Sequence, residues 1–454
     1  MKEMELRNVK GCADYSPREQ FIRNYISDTL KKVFEKYGFK PLQTPILCYY
    51  DLLALKYDEE NDILKEVYKV TDQGNRNLAL RYDLTVPFAK YIAINQNTRL
   101  PFKRYEIGEV FRNGPVKLGR DREFIQCDVD CVGIEGQLIE AEFIALYVEA
   151  YKDLGIDVII KYNNRKFLSG IIIEAGISEE LVTETITIID KFEKLTRQEL
   201  EKEFQKISLN SEQVEKLFMY LNMNVEQLIK LENKNEIFAE GIEELNVLRK
   251  YIEQLGLLEF VQFAPSLARG QEYYTGTVFE VYVKDGSITS SIGGGGRYNG
   301  MIESLGGPET PAIGFAAGFD RLMLALEKEN VKIPIQDSCD LFLLYVSDEE
   351  KKYAAYLSNE LRMNGFIIET DYLSRSLKAQ FKQADRLNSK FTIVLNSSEL
   401  KNNEVKIKNN KTKEEDVISL DALIYYLDEN IVEDDDSSCE CDCNHKSHEC
   451  SCKK

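Results

Sequence analysis

The sequence predicts a mixed α/β (α+β) protein with a larger antiparallel-sheet domain and a smaller α/β domain. Three observations lead to this fold class. Short β-branched and aromatic runs joined by turn residues, as at residues 277–292, are typical of hairpins. A charge-rich helical pattern at about residues 166–254 interrupts these runs. After Pro334, strand and helix patterns alternate, which predicts a parallel-type sheet flanked by helices.

The chain of 454 residues is long enough for two or three domains with their own cores. We predict a first domain at 1–330, with the helical insertion at about 166–254, a second domain at 338–430 and a disordered acidic tail at 433–454. The net charge is −19, and the tail contributes −4 through seven acids against three lysines. Any nucleic acid must therefore bind local basic patches on an acidic background.

The composition favours a cytoplasmic protein without a membrane partner. No apolar run approaches the length of a membrane span, and the charged start, MKEMELRNVKGC, lacks the apolar region of a signal peptide. Five cysteines of the body are scattered without framework spacing, which indicates reduced thiols. They are Cys12, Cys48, Cys127, Cys131 and Cys339.

The first predicted element is a helix from Pro17 to about Tyr37, because apolar residues recur at helical spacing and Gly38 ends the pattern. Residues 39–47 follow as a strand. Since this strand contains Pro41 and Pro45, it is expected at a sheet edge or an interface.

A hairpin of residues 67–70 and 78–80 is predicted to deliver the segment RYDLTVP. Asp83 and Thr85 are two residues apart and share one face of an extended chain, so both can hold an ammonium group. The alternative is that Asp83 caps a helix over residues 87–95.

A second hairpin is predicted from residues 102–112 and 124–132, joined by the loop NGPVKLGRDRE. Arg120 and Arg122 give this loop positive charge suited to phosphates. On the returning strand Gln126, Asp128 and Asp130 alternate and share a face, which indicates a wet pocket floor. Simple solvent exposure is the alternative.

A helix at 136–154 and a strand at 158–162 precede the insertion. The stretch from Ser266 to Leu326 then combines a strand at 277–282, a turn at 284–287 and a returning strand at 288–292. Four glycines, 293–296, leave bare backbone where a ligand can lie. Arg269, Arg321 and the pair Tyr273 and Tyr274 are expected to converge on this glycine floor. Such a site suits a small polar substrate and a polyphosphate.

The second domain is predicted as strand 340–346, helix 347–363, strand 366–369, helix 375–387 and strand 391–395. Four basic residues fall near one face of the second of these helices, either as a solvated charged face or as an RNA-binding patch. They are Arg375, Lys378, Lys382 and Arg386.

The tail contains five cysteines and the only two histidines of the chain, a combination that favours Zn²⁺ or another soft metal. The alternatives are that the tail is redox-active or that it is tolerated without having a role. The candidate ligands are Cys439, Cys441, Cys443, His445, His448, Cys450 and Cys452.

Several of these segments resemble one family. LARGQEYYTGTVFE and GGGGRYNG resemble the two histidine-specific motifs of histidyl-tRNA synthetases, and GFAAGFDRL resembles class II motif 3. Residues 17–47 resemble motif 1, the family's dimer-forming element, and residues 102–132 resemble motif 2. The smaller domain resembles a class IIa anticodon-binding domain, and 166–254 resembles the family's helical insertion. Cys48 and Gly114 depart from the family, which often has acids at these two positions.

The resemblance implies a homodimer that activates L-histidine with ATP and Mg²⁺ and transfers it to the 3′ end of tRNA(His). It implies that Arg112 and Arg269 flank the α-phosphate and that Arg321 holds the γ-phosphate. The remaining implied roles are histidine binding by Asp83, Leu84, Thr85, Arg112, Gln126 and Arg269, imidazole recognition by Asp130, Tyr273 and Tyr274, and tRNA contacts by Arg120, Arg122, Arg375, Lys378, Lys382 and Arg386.

Two other functions are compatible with such a scaffold. One is a catalytically silent paralogue that senses histidine or regulates its biosynthesis, although such paralogues typically lack the second domain and the arginine at position 269. The other is an RNA-binding or metal-handling protein, supported by Gly114 and the tail. Both histidines lie in the tail, so the body has no histidine base. Amino-acid activation needs none, because the substrate carboxylate is the nucleophile.

Overall fold

The computed structural model describes residues 6–54, 62–192, 194–231, 235–269, 273–334 and 338–436. The chain divides into two compact units, one up to Pro334 and one beyond it.

The strands are β1 (Lys40–Pro41), β2 (Leu47–Tyr49), β3 (Lys69–Thr71), β4 (Asn77–Leu80), β5 (Phe102–Phe111), β6 (Glu123–Val132), β7 (Val158–Asn164), β8 (Val261–Phe263), β9 (Thr277–Val283), β10 (Gly293–Arg297), β11 (Ala312–Gly318), β12 (Leu341–Tyr345), β13 (Ile368–Thr370), β14 (Phe391–Leu395), β15 (Glu404–Asn409) and β16 (Glu415–Ser419).

The helices are α1 (Pro17–Lys36), α2 (Tyr50–Ala54), α3 (Asp62–Lys65), α4 (Thr85–Ile94), α5 (Leu138–Asp153), α6 (Arg165–Glu174), α7 (Val182–Ile189), α8 (Arg197–Lys206), α9 (Ser211–Leu221), α10 (Val225–Ile229), α11 (Glu236–Gln254), α12 (Met301–Ser304), α13 (Phe319–Lys328), α14 (Asp348–Met363), α15 (Leu377–Arg386), α16 (Ser397–Lys401) and α17 (Leu423–Asp436).

An eight-stranded sheet organises the first unit, in the order β1-β5-β6-β11-β10-β9-β7-β8. Neighbouring strands are antiparallel except at the two edges, where β1 runs parallel to β5 and β8 runs parallel to β7. The glycine strand β10 lies between β9 and β11, with Gly294 opposite Glu280 on one side and Ala316 on the other. The sheet therefore has a strip of almost bare backbone near its centre.

The two faces of this sheet differ in chemistry because side chains alternate along each strand. On β6, Cys127, Val129 and Cys131 are buried in a hydrophobic core with α1, α5 and α13. Tyr147 of α5 stacks on Phe315 of β11 with ring centroids 3.7 Å apart. Between and beside them Gln126, Asp128 and Asp130 give the opposite face a polar stretch.

A small antiparallel sheet, in the order β2-β4-β3, covers part of the first unit. Cys48 and Ala79 face its core, whereas Leu47, Tyr49 and Val70 face outward and are 49%, 59% and 37% exposed. This outward side is therefore an apolar surface.

The second unit contains a five-stranded sheet in the order β13-β12-β14-β15-β16. Its first three strands are parallel, as the strand–helix alternation predicts, and the last two are antiparallel. The predicted fold class of the first unit, an antiparallel sheet with a helical segment between its strands, is also confirmed.

Three local predictions are wrong in detail. The strand expected over residues 39–47 is interrupted after Pro41, because the Thr44 N–H donates to the Glu106 carboxylate at 2.9 Å and not to the backbone of a neighbouring strand. The partner of β9 is the glycine strand itself rather than residues 288–292. The start of the predicted disordered tail at residue 433 is also wrong, because helix α17 continues to Asp436. Strands β15 and β16 and the rest of α17 were not anticipated from the sequence.

Within the described ranges, we find no helix whose length and apolar character would allow it to cross a bilayer.

Candidate active site

A cavity of about 320 Å³ opens on the polar face of the large sheet. Its floor is formed by the glycine strand β10 and by β11, and its walls carry charged and aromatic side chains. The functional side chains that line it are Asp83, Thr85, Arg112, Arg120, Gln126, Asp128, Arg269, Tyr273, Tyr274, Glu280 and Arg321. The structure thus brings together most of the residues that the sequence analysis assigned to one site.

Three arginines converge on this cavity from different elements. Arg112, which follows β5, donates Nε–H to the Tyr82 carbonyl at 3.0 Å. Arg269 donates from Nη1 to the Phe279 carbonyl at 3.3 Å and contacts the Glu280 carboxylate at 3.4 Å. Because a guanidinium group has five N–H donors, each such anchor leaves others for a ligand.

Arg321, in the first turn of α13, is the third of these arginines. It donates Nε–H to the Gly119 carbonyl at 3.4 Å and a second N–H to the Ser291 carbonyl. Burial lowers its pKa, and the positive charges of Arg120, Arg112 and Arg269 lower it further. This mutual repulsion indicates a site that is completed by a polyanion.

Arg269 can reach the floor only because residue 294 is glycine. A Cβ atom at this position would lie 1.9 Å from Arg269 Nη1. The bare backbone of β10 thus admits a guanidinium group between the sheet and the cavity.

Asp83 has two roles because its two oxygen atoms lie in different surroundings. Oδ1 accepts the Val86 N–H at 3.1 Å and caps α4, which is the structural role considered from the sequence. Oδ2 is buried without a hydrogen-bond partner in the described structure. Burial raises the pKa of Asp83 to about 6. The Gln126 Oε1 atom is likewise buried and unpaired, so two acceptors face the same cavity.

Tyr273 and Tyr274 form an aromatic wall, with ring centroids 4.7 Å apart. The guanidinium of Arg269 lies 5.7 Å from the ring centroid of Tyr274. Both rings are more than nine-tenths buried. They can enclose a planar ligand group.

Asp128 and Asp130 differ in position although they share one face of β6. Asp128 lines the cavity, whereas Asp130 does not. Asp130 Oδ1 accepts the Tyr298 hydroxyl at 2.6 Å, and Oδ2 pairs with Arg104 Nη2 at 2.7 Å. Burial, followed by the adjacent carboxyl of Asp130, raises the pKa of Asp128 well above its usual range.

A buried ionic network beneath the cavity was not predicted from the sequence. Glu106 pairs with Arg81 at 2.7 Å and with Arg104 at 3.2 Å, and Arg104 also donates to the Leu84 carbonyl at 2.9 Å. Leu84 is fully buried and does not line the cavity. No local pattern could identify these long-range pairs, although charged residues inside a strand are a general sign of a polar face.

The loop between β5 and β6 is held by residues outside it. Arg120 Nη2 pairs with the Glu66 carboxylate at 2.8 Å, and the Asn113 N–H donates to the Glu66 carbonyl at 2.7 Å. Gly114 makes room for this acid, since a Cβ atom there would lie 2.8 Å from Glu66 Oε1. Arg122 instead donates to the Gly114 carbonyl and does not line the cavity.

The four basic residues of the second unit do not form a single helical face. Arg375 precedes α15 and is held by the carboxylate of Asp371. Lys378, Lys382 and Arg386 lie on α15 and are exposed.

The seven cysteine and histidine residues of the tail lie outside the described residues. Within the part of the chain that is described, no group of three or more His, Cys, Asp or Glu residues could hold a metal ion. The five body cysteines form no disulfide.

Comparison with known proteins identifies the family. The histidyl-tRNA synthetase family profile matches residues 11–322, and an anticodon-binding-domain profile matches residues 333–430. "Histidine--tRNA ligase 1" of Bacillus cereus is 41% identical over 430 residues, covering 93% of this chain and 100% of that protein. "Histidine--tRNA ligase" of Staphylococcus aureus is 33% identical over 433 residues, covering 92% and 98%.

The crystal structure of histidyl-tRNA synthetase from a Nostoc species has a TM-score of 0.81 at 28% identity, covering 94% of this chain and 100% of that one. The resemblance seen in the sequence motifs is therefore confirmed along most of the chain. The protein belongs to the histidyl-tRNA synthetase family.

Proposed function

We propose that the protein is a histidine–tRNA ligase, which activates L-histidine with ATP and transfers it to the 3′ end of tRNA(His). The observation that carries this proposal is the single cavity in which Arg112, Arg269 and Arg321 meet two unpaired acceptors above a glycine floor. Guanidinium groups suit phosphates and a carboxylate, and unpaired acceptors suit an ammonium group. Histidine and ATP present this combination of charges.

The amino-acid end of the cavity is formed by Asp83, Thr85 and Gln126. The free Oδ2 of Asp83 and Oε1 of Gln126 can accept from the substrate ammonium group, since both are buried without partners in the described structure. Arg112 and Arg269 can hold the substrate carboxylate near the α-phosphate.

Activation joins an oxygen of this carboxylate to the α-phosphorus of ATP and breaks the bond from that phosphorus to the pyrophosphate oxygen. The developing negative charge is the main barrier, so fixed positive charges accelerate the step. Arg112 and Arg269 are assigned to the α-phosphate, and Arg321 to the γ-phosphate end. No proton need leave the histidine carboxylate, which agrees with the lack of a histidine base in the body.

Magnesium would accompany ATP at this site. The Glu280 carboxylate lines the cavity, and its contact with Arg269 is long, at 3.4 Å, so it can also bind Mg²⁺. One or two protein carboxylates are sufficient where phosphates complete the coordination shell of the ion. The ion would shield the phosphate charges.

The tRNA contacts and the domain roles belong to the same proposal. We assign residues 1–330 to catalysis, with the insertion at about 166–254, and residues 338–430 to the anticodon. Arg120 and Arg122 are suited to the acceptor end, and Arg375, Lys378, Lys382 and Arg386 to the RNA of the anticodon arm. A cytoplasmic location is consistent with the five unpaired body cysteines.

A homodimer is also proposed, formed through the outward side of the small sheet. Leu47 and Tyr49 lie at the end of the segment that resembles motif 1, and together with Val70 they expose an apolar surface. A second copy of the chain would cover it.

The tail remains a candidate for a soft metal. Its five thiols and two imidazoles within the last sixteen residues provide the ligands that Zn²⁺ or Cu(I) prefers. The support for this metal site is the amino-acid composition of the tail.

We predict that Arg269→Ala lowers histidine-dependent ATP–pyrophosphate exchange by about 10²–10³-fold, because it removes a fixed donor from the developing phosphate charge. Arg249→Ala, at an exposed arginine of α11, is the control and should keep full exchange. Absence of exchange in folded wild-type protein that still binds histidine would reject the ligase and favour the silent histidine sensor.

The second prediction concerns pH. An acid with its pKa raised to about 6 is ionised above that pH and protonated below it, so the Asp83 carboxylate is lost as the pH falls through about 6. The wild-type kcat/KM for histidine should therefore decline below pH 6 relative to that of Asp83→Asn. The substrate's own titration is common to both proteins and cancels in the ratio. A ratio constant from pH 5 to 8 would contradict the role of Asp83.

For the dimer, we predict that Leu47→Asp combined with Tyr49→Asp converts the protein to a monomer, because two buried charges would be unpaired in the interface. Sedimentation velocity measures the mass directly. Met219→Asp, a comparably exposed apolar position on α9, should leave the dimer intact. A monomeric wild type, or a double variant that stays dimeric, would refute this surface.

For the tail, we predict that the purified full chain carries at least one Zn²⁺ or copper ion that a chain ending at residue 436 lacks. Elemental analysis by mass spectrometry after exhaustive dialysis provides the measurement. Equal metal content in the two proteins would exclude a metal site in the tail.

A further inference from the structure

The segment that carries Arg269 leaves the large sheet before it reaches that residue. Strand β8 pairs with β7 up to Phe263, and the Ala264 N–H still donates to the Tyr162 carbonyl at 3.0 Å. From Pro265 to Arg269, no backbone hydrogen bond to β7 is present among the described residues. The main chain just before Arg269 is therefore held by something other than the sheet ladder.

The side chain of Asn163, near the end of β7, makes this connection. Its Nδ2 atom donates to the Pro265 carbonyl at 2.9 Å and to the Leu267 carbonyl at 2.9 Å. In the part of the chain that is described, neither carbonyl accepts a backbone N–H. A carboxamide suits this place because one uncharged nitrogen carries two donor hydrogens.

The surroundings of Asn163 indicate that its donors are what the position needs. The side chain is fully buried, and its Oδ1 atom has no hydrogen-bond partner in the described structure. Burying an unpaired amide oxygen is unfavourable. The two hydrogen bonds from Nδ2 offset this cost, and they fix the chain two residues before Arg269.

The guanidinium group of Arg269 is held close to the same point of the sheet. It donates to the Phe279 carbonyl on β9, and Asn163 lies opposite Val278, the preceding residue of that strand. Strand β7 thus fixes the main chain that leads to Arg269, while β9 anchors the end of its side chain. A long side chain keeps one orientation only when such contacts offset its loss of rotamer freedom.

The next residue, Asn164, is equally buried but has a different task. Its Oδ1 atom accepts the Lys166 N–H at 2.8 Å at the start of α6, and its Nδ2 atom donates to Glu244 at 2.6 Å. Asn164 therefore stabilises the helical insertion, whereas Asn163 holds the segment that leads to the cavity.

We propose that Asn163 is a positioning residue for amino-acid activation, which fixes the main chain before Arg269 so that the guanidinium group meets the α-phosphate. This inference rests on the proposed histidine ligase function. Asn163 does not line the cavity and acts only through Arg269. A displacement of about 1 Å at a catalytic group can lower a rate by about 10²-fold, so loss of this anchor is expected to be costly.

The test is a double-mutant cycle in which Asn163→Ala is combined with Arg269→Ala, and histidine-dependent ATP–pyrophosphate exchange is measured in all four proteins. With Arg269 present, Asn163→Ala should lower exchange by about tenfold or more. In the Arg269→Ala background it should lower the residual exchange by less than about twofold, because no guanidinium group is left to position.

Asn164→Ala is the matched control, since it removes a fully buried asparagine from the adjacent position of the same strand. It should lower the melting temperature, as Asn163→Ala does, but change exchange by the same factor whether or not Arg269 is present. Asn163→Ser keeps one hydroxyl donor and should recover part of the lost rate. The cycle is run with this variant if Asn163→Ala does not fold.

The inference is overturned if the Asn163 variants keep wild-type exchange. It is also overturned if they lower exchange by the same factor in both backgrounds, since the asparagine would then stabilise the fold without acting through Arg269. Folded wild-type protein without histidine-dependent exchange would instead overturn the proposed function itself, and the inference with it.

Discussion

The first unit depends on the pairing of two buried arginines with two buried acids. Arg81 and Arg104 are essentially inaccessible to water, and an isolated charge in such a place would cost several kcal/mol. Glu106 and Asp130 offset that cost. These pairs connect β5 and β6 with the segment that carries Asp83, because Arg81 begins this segment and Arg104 holds the Leu84 carbonyl. The segment that carries Asp83 is therefore positioned by the ion pairs below the cavity.

The same constraint separates structural from functional charges. Where a cation is supplied by the protein, the acid is part of the framework, as at Glu106 and Asp130. Asp83 and Asp128 have no ion pair within the described residues, and both line the cavity. Arg112, Arg269 and Arg321 line the same cavity, and burial, with a further contribution from the neighbouring arginines, lowers the pKa of Arg321. The cavity thus combines buried acceptors without ion pairs among the described residues and several guanidinium groups.

Local patterns in the sequence were sufficient for most elements. The hairpin of β5 and β6, the helical stripe of α1 and the strand–helix alternation of the second unit depend on short-range interactions, and those predictions are confirmed. These patterns could not predict which distant residue a side chain contacts in the folded protein. The Thr44 N–H donates to Glu106, sixty-two positions away, and this interrupts the predicted strand. Alternation predicts the same surroundings for Asp128 and Asp130, although only Asp128 lines the cavity.

Gly114 illustrates why a departure from a motif must be judged in three dimensions. From the sequence alone, the missing acid in this loop supported an RNA-binding or metal-handling protein in place of a ligase. In the structure Glu66, from outside the loop, places its carboxylate where a side chain at position 114 would begin, and it pairs with Arg120 at the edge of the cavity. An acid at both positions would bring two like charges into contact, which is unfavourable. Glycine at 114 leaves space for the Glu66 carboxylate, so its presence in the loop no longer favours the RNA-binding or metal-handling alternative.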